Sequence, residues 1–342
     1  MTPKSMANLL MAGDLGGTKT LVGLFEPDRV RPRRLVVRAF STLAHDALPQ
    51  IINAFLQETG TSRDRITTAC FGVAGPVIDR TATLTNVPWQ ADAREVARRF
   101  EFASVHLLND LQAMAYAVTV LTDAELLVLQ AGAPDPNGNI AIIAAGTGLG
   151  EALLHNIGGR RIPSPSEGGH ADWAPRTERE IAVMRDLTRR YGRADVEHVI
   201  SGRGLVNIHR VCHSSERHVA PAGHCEAAID LADPNAPAAI TAAALEGRCP
   251  GCVETLDLFV EAYGAEAGNL GLRSVATGGV FVGGGIAPKI VPSLTRGRFM
   301  RAFCAKPPLE AMLRAMPVKV MMNEEAGLLG AAVFANLTMN SI

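Results

Sequence analysis

The chain has 342 residues, 47% of them hydrophobic and 20% charged, and a formal net charge of −1. That length allows two domains with separate cores. The near-neutral balance, without a basic run, argues against nucleic acid as a partner, and no apolar run is long enough to make a membrane one. Thirty-three glycines and twenty prolines in so apolar a chain imply tight turns rather than disorder. The opening "MTPKSMANLLMAG" carries one Lys and too short an apolar stretch for a secretory signal, and Met6 is an equally good start. Six cysteines without regular spacing read as reduced thiols of a cytoplasmic protein. There the glycosylation pattern at Asn336–Thr338 has no meaning.

In chain order, Leu9–Asp14 and Thr20–Phe25 read as paired strands joined by a glycine turn, and Leu35–Phe40 as a third strand. Leu48–Leu56 has helical spacing and ends near Gly60. Ala69–Val73 is a short buried strand before the breaker Gly75-Pro76, Ala93–Phe100 a charged helix, Val105–Leu108 a strand and Leu111–Val120 a helix. This alternation indicates an α/β domain with a mixed sheet. After a Pro/Gly/Asn-rich break at Ala131–Asn139 the pattern restarts: strand Ile140–Ala144, turn "GTGLG", strand Glu151–Ile157. The two halves thus open alike, a weak internal repeat. Thr177–Glu180 is a capping box for a helix with Ile181, Met184, Leu187 and Tyr191 on one face and Gly192 after its end. Ser201 caps another helix, with Leu205, Ile208 and Cys212 on its face, and Leu256–Leu272 is a longer apolar one. "GGVFVGGGIAP" is a buried strand entering a triple-glycine turn. Pro317–Met322 is the last strand, and Asn323 caps a final helix with Glu324 and Glu325 in its first turn.

Three strands therefore end in glycine turns, at Gly13–Thr18, Gly146–Gly150 and Gly283–Gly285. Glycine lets backbone approach a ligand closely, and successive N–H groups form a concave anion site. One such turn is ordinarily a hairpin; three, two of them with Thr, point to phosphate. Asp14 beside the first can hold Mg²⁺, directly or through water. There is no G-x-x-x-x-G-K-[ST], and no G-x-G-x-x-G opening a helix after the first strand. A glycine turn inside a β-hairpin, repeated in a second domain, resembles the two-domain actin-like ATPase (ribonuclease H-like) α/β fold, which implies nucleotide held in a cleft between the domains.

Candidate acids lie outside the turns. Asn109 and Asp110 sit where a strand stops and a helix begins, where the helix dipole keeps a carboxylate ionised; Asp110 also reads as a plain N-cap. Glu167 and His170 flank two glycines in a Pro-bounded loop, "PSPSEGGHADWAP", which suits sugar hydroxyls but also reads as solvated surface. Glu197 precedes a helix start and in isolation is surface charge.

Together "GDLGGTKT", "FGVAGPV", "TNVPW", "LLNDLQAMA", "AAGTGLGEA", "SEGGHADWAP", "EHVISGRGLVNI" and "GGVFVGGGIAP" run in order along nearly the whole chain and resemble the bacterial glucokinase family of hexokinase-like sugar kinases. The resemblance implies ATP-dependent phosphorylation of glucose at its 6-hydroxyl, with Asp110 as catalytic base and Asn109, Glu167, His170 and Glu197 on the sugar. Gly13, Asp14, Leu15, Gly16, Gly17 and Thr18 would hold ATP phosphates, Gly146, Thr147 and Gly148 would form the second phosphate turn, and Gly283, Gly284 and Gly285 would lie near adenosine. Mg²⁺ would bridge phosphates near Asp14, sugar-driven domain closure would exclude water, and a homodimer is expected. It also implies that the last helix crosses back, giving a small α/β domain of residues 1–120 plus 323–342 and a large one of 121–322. Arg203 departs from the family's pattern, standing where Pro is expected, and His213–Pro237 is long and irregular.

Alternatives are a kinase for another hexose or amino sugar and a non-kinase actin-like ATPase, which would have no use for the sugar set. A sugar-sensing repressor would need a DNA-binding helix pair ahead of Asp14. Cys249-Pro-Gly-Cys252 is a C-x-x-C, with His209, Cys212, His213, His218, His224 and Cys225 nearby. His209 and His213, spaced i, i+4, are a candidate metal pair on a helix, and the region reads either as a zinc site or redox switch or, since the spacings match no standard four-ligand zinc template, as a polar, variable stretch with incidental thiols.

Overall fold

Along the first strand, β1 (Leu9–Leu15), side chains alternate between two apolar clusters. Leu9, Met11 and Leu15 join one, Leu10 and Ala12 the other. Asp14 therefore shares its face with Leu10 and Ala12. In the computed structural model, which describes residues 8–84, 87–214 and 229–339, the chain divides into two compact units. These are residues 1–122 with 323–342, and residues 123–322.

In the first unit β1 turns into β2 (Lys19–Glu26), which pairs with β3 (Arg33–Ser41). Helix α1 (Leu48–Thr59) ends at Gly60, whose φ of 60° suits glycine. Then come β4 (Ile66–Val73), a small sheet of β5 (Val77–Ile78), β6 (Thr81–Thr83) and β7 (Gln90–Asp92), and helix α2 (Ala93–Phe100). Asp92 caps α2, accepting from Arg94 N at 2.7 Å. Strand β8 (Ser104–Asn109) runs directly into α3 (Asp110–Val118). The sheet order is β3-β2-β1-β4-β8, with β1/β4 and β4/β8 parallel and the hairpin side antiparallel.

The second unit comprises β9 (Leu126–Gln130), β10 (Ile140–Ala145), β11 (Leu149–Ile157), β12 (Arg160–Ser166), and helices α4 (Glu178–Tyr191), α5 (Gly202–Ser214), α6 (Ala236–Leu245) and α7 (Pro250–Ser274). There follow β13 (Gly279–Gly283), α8 (Val291–Leu294), α9 (Arg298–Cys304), α10 (Glu310–Ala315) and β14 (Val318–Met321). Its order, β12-β11-β10-β13-β14-β9, repeats the first plan and adds β9 at the edge. Again the hairpin pairs antiparallel, and β10/β13 and β13/β14 pair parallel. The weak repeat in sequence is thus a repeat of topology.

Several boundaries move for physical reasons. Asn109, not Asp110, caps α3: its Oδ1 accepts from Leu111 N at 3.0 Å, and Gln112 returns the bond to Asn109 N at 3.2 Å. The Thr177 cap forms, but Glu180 bonds Arg176 rather than closing a box on Thr177. The last helix, α11 (Ala326–Met339), begins after the acids expected in its first turn. Asn323 instead caps a tight turn, accepting from Glu325 N at 2.8 Å. Part of the irregular His213–Pro237 stretch is helical at both ends, in α5 and α6. Its residues 215–228, with His218, His224 and Cys225, lie outside the described residues, as do Thr85 and Asn86 of "TNVPW". No described helix is long and apolar enough to cross a membrane.

Helix α11 is apolar and buried from Ala326 to Val333 because β1, β4 and α3 cover it there. It crosses α3 so closely that a Cβ on Gly330 would lie 1.6 Å from the Ala113 carbonyl oxygen. Replacing Gly330→Ala must push the helices apart, and overpacking of this kind costs about 1–3 kcal/mol. We expect a clear fall in melting temperature, read by thermal unfolding of the purified chain.

Candidate active site

In the first unit, the alternation of β1 sends Asp14 toward the side of the sheet covered by α3 and α11. There it meets Asp110, the first residue of α3. Burial, then the Asp110 charge, push the Asp14 pKa up to about 6, with Lys19 opposing. Space for the Asp14 carboxylate is kept by Gly327, where a Cβ would fall 2.8 Å from Oδ2. Beside it, a Cβ on Gly13 would fall 2.3 Å from a Phe71 ring carbon. Asp110 Oδ1 accepts from Leu111 N at 2.9 Å. The Asn109 amide donates to the Gly75 carbonyl at 3.3 Å, fixing the "GVAGPV" turn to the start of α3.

The first glycine turn is held from outside. Gly16 N donates to Lys19 O at 3.1 Å, and Thr42 Oγ1 donates to Gly16 O at 2.8 Å. Thr42 N also donates to Thr18 O at 2.9 Å. Leu15 is buried, Gly16 and Gly17 are half-buried and Thr18 is exposed, so the turn offers its tip to solvent. Thr42 carries no motif of its own; pairing of β3 with β2 brings it there.

In the second unit three motifs converge. Glu197 Oε2 accepts from Leu149 N at 2.9 Å, and a Cβ on Gly148 would fall 2.5 Å from that oxygen. Glu197 N donates to Gly169 O at 2.8 Å, and a Cβ on Gly169 would strike Leu149 O at 2.4 Å. Gly148 of "GTGLG" and Gly169 of "EGGH" are therefore required by close approach. Glu167 and His170 are exposed on either side of this contact, and Glu197 is half-buried. His170 Nδ1 lies 3.8 Å from Asp195 Oδ2.

Gly146, Thr147 and Gly285 border a cavity of 860 Å³, together with the α5 N-terminus at Gly202 and Arg203. Gly202 N donates to Gly146 O at 2.9 Å. The walls contributed by Val206, Pro237, Leu245 and Ile290 are apolar, and Arg210 and Lys289 add positive charge. Arg203, the departure from the expected Pro, thus faces this cavity. Gly284 has φ 81°, and a Cβ there would meet Ala145 O at 2.3 Å. Gly283 ends β13, its carbonyl 3.2 Å from the Tyr263 hydroxyl. That fully buried hydroxyl also accepts from Ala145 N at 3.1 Å, so one side chain ties together the strands that carry both turns.

Sequence reasoning missed Tyr263, Thr42 and Glu151. Glu151 lies in β11 beneath "EGGH", where a Cβ on Gly168 would fall 2.1 Å from its Oε2, and its Oε1 has no hydrogen-bond partner. Burial, then Glu266, push its pKa up to about 7, with Arg273 opposing. An acid directly after "GTGLG", leading the apolar run Ala152–Leu154, was the available signal.

Two units built on one repeated sheet plan, each with a strand–glycine turn–strand hairpin, define an α/β protein of the actin-like ATPase fold. The profile of the family described as Glucokinase matches residues 11–338. A glucokinase of Synechocystis sp. is 38% identical over 95% of this chain and 97% of its own length. The crystal structure of a glucokinase from an Antarctic psychrotroph superposes with a TM-score of 0.82 at 27% identity, covering 96% of this chain and 99% of that one. A ROK-family glucokinase from Streptomyces griseus, in complex with glucose and AMPPNP, shares the fold with a TM-score of 0.64 at 21% identity, over 96% of this chain and 99% of that one. The chain belongs to the glucokinase family.

A carboxyl whose folded pKa is about 6 against an ordinary 3.8 favours the folded state when protonated. Its contribution is complete below about pH 4 and is lost as pH rises through about 6. Without nucleotide or divalent cation, Asp14→Asn is expected to melt above wild type at alkaline pH. That advantage should vanish as pH falls toward 4, in a series of thermal melts.

Proposed function

We propose that this chain transfers the γ-phosphoryl group of ATP to the 6-hydroxyl of glucose, giving glucose 6-phosphate and ADP. The observation that carries the reading is the carboxylate of Asp110 at the N-terminus of α3, beside Asp14 and the glycine turn of β1–β2. Family membership supports it, as does the glucose and AMPPNP in the Streptomyces griseus protein.

In this reading Asp110 accepts the proton of the 6-hydroxyl as that oxygen attacks phosphorus. The α3 dipole favours its ionised form, which a base requires. Asn109, Glu167, His170 and Glu197 hold the sugar hydroxyls. Among them Glu197 already uses one oxygen on Leu149 N, which sets its orientation before a sugar arrives. The turns at Gly13–Thr18 and Gly146–Gly148 offer N–H and Thr hydroxyl donors to phosphate oxygens. The cavity bordered by Gly285 suits adenosine, with apolar walls for the base and cationic side chains for phosphate.

Magnesium fits this donor set. The Asp110 charge raises the cost of ionising Asp14, which a cation at Asp14 offsets, and Gly327 places no side chain against the Asp14 oxygens. Bound there with ATP, Mg²⁺ would neutralise charge on the phosphate oxygens. We further infer a cytoplasmic, homodimeric enzyme that feeds glycolysis.

Asp110→Ala is expected to lower kcat about a hundredfold or more, the size of a general-base contribution, with little change in Mg-ATP affinity. A near-normal kcat would remove Asp110 from that role. A panel of hexoses and amino sugars with Mg-ATP, measuring ADP and sugar phosphate together, tests the substrate. Glucose should be the fastest, with one ADP formed per glucose 6-phosphate. ADP release without sugar phosphate would overturn the kinase reading.

A further inference from the structure

His209 and His213 stand one turn apart on α5, while Cys249 precedes α7 and Cys252 lies in its first turn. Their spacing along the chain offers a His pair one turn apart and a C-x-x-C, but not that the two pairs meet. Packing of α5 on α7 brings them together. A ring nitrogen of His209, a ring nitrogen of His213 and Sγ of Cys252 lie within 4.8 Å of one another. Sγ of Cys249 is 3.3 Å from His213 Nε2. From this juxtaposition we propose that His209, His213, Cys249 and Cys252 form a structural zinc site that clamps α5 to α7.

Three observations carry the proposal beyond proximity. His209 is 6% exposed, and neither of its ring nitrogens has a hydrogen-bond partner. A buried polar group left in that state is costly, and a metal bond removes that cost. His213 is oriented as metal-ligating imidazoles are. Its Nδ1 lies 3.0 Å from the His209 carbonyl and donates to it, so the Nε2 lone pair faces the cysteine sulfur. Finally, the C-x-x-C segment is shaped to receive the ring: a Cβ on Gly251 would fall 2.4 Å from His213 Cε1.

The chemistry selects zinc. Two thiolates and two neutral imidazoles are a tetrahedral zinc set, with Zn–S of about 2.3 Å and Zn–N of about 2.0–2.1 Å. Two thiolates balance the charge of Zn²⁺, so the filled site is neutral and can stay buried. On binding, each thiol releases one proton to solvent, and no electron is transferred. The clamp joins residues 36 apart in sequence and steadies α5, whose N-terminal turn borders the cavity at Gly146 and Thr147.

The test uses the full chain purified under reducing conditions, incubated with Zn²⁺, desalted and assayed for metal. We expect one zinc per chain, a tetrahedral cobalt–thiolate spectrum when Co²⁺ replaces it, and a lower melting temperature after chelation. Cys252→Ser and Cys249→Ser should each lose the metal and the thiolate bands. If either variant fails to fold, the wild-type cobalt spectrum and the chelator-induced shift carry the test alone. Wild type that retains no zinc, or both variants retaining a full equivalent, would overturn the assignment.

Discussion

Two carboxylates share one corner of the first unit, Asp14 at the end of β1 and Asp110 at the start of α3. Burying a charge beside a like charge is costly, and the raised pKa of Asp14 records that cost. The surrounding residues make the corner possible. Gly327 on α11 gives the Asp14 carboxylate room, and Gly72 keeps α3 close to β4, since a Cβ there would fall 2.9 Å from Ala113 Cβ. Gly330 lets α11 cross α3 at backbone distance. The glycines and alanines of this region are thus spacing elements, and the pair of acids is what they space.

The second unit reaches a comparable arrangement by other means. Its central strands carry no acid facing a helix N-terminus; instead Glu197 reaches back to Leu149 N and locks the glycine turn after β10. Tyr263 supplies rigidity from beneath, its hydroxyl bridging the ends of β10 and β13. Hydrogen bonds buried this completely are strong because no water competes for them. The same sheet plan therefore supports two differently built turns, one held by Thr42 just past the end of β3 and one by a glutamate from a loop.

What was legible in the sequence follows local physics. Helix α2 is read at its true bounds because it is strongly amphipathic and begins with a capping Asp92. Gly60 and Gly192 mark helix ends because only a left-handed residue closes those turns. Elements without such signals were missed. Strand β9 is a partly exposed edge strand, β12 contains two prolines, and α6 is so rich in alanine that no face stands out. The start of α11 was misplaced because Asn323 caps a turn and a helix with the same chemistry. In the candidate site, "GTGLG", "EGGH" and the Glu197 loop could be named one by one, but no residue pattern says that their backbones touch. Glu151 went unnoticed because its alternation as a strand residue is satisfied either way.

The sequence by itself determined the inventory: an α/β chain with a repeated hairpin opening, glycines at the turns, and acids at strand and loop ends. Each of these depends on neighbours within a turn or a strand, where backbone sterics and capping decide the outcome. Only the tertiary structure decided that Asp14 meets Asp110, that Tyr263 ties two strand ends, and that a His pair meets a Cys pair from another helix. Those distances depend on how whole faces of helices and sheets bury against each other. That is a sum over the core, and no short stretch of sequence contains it.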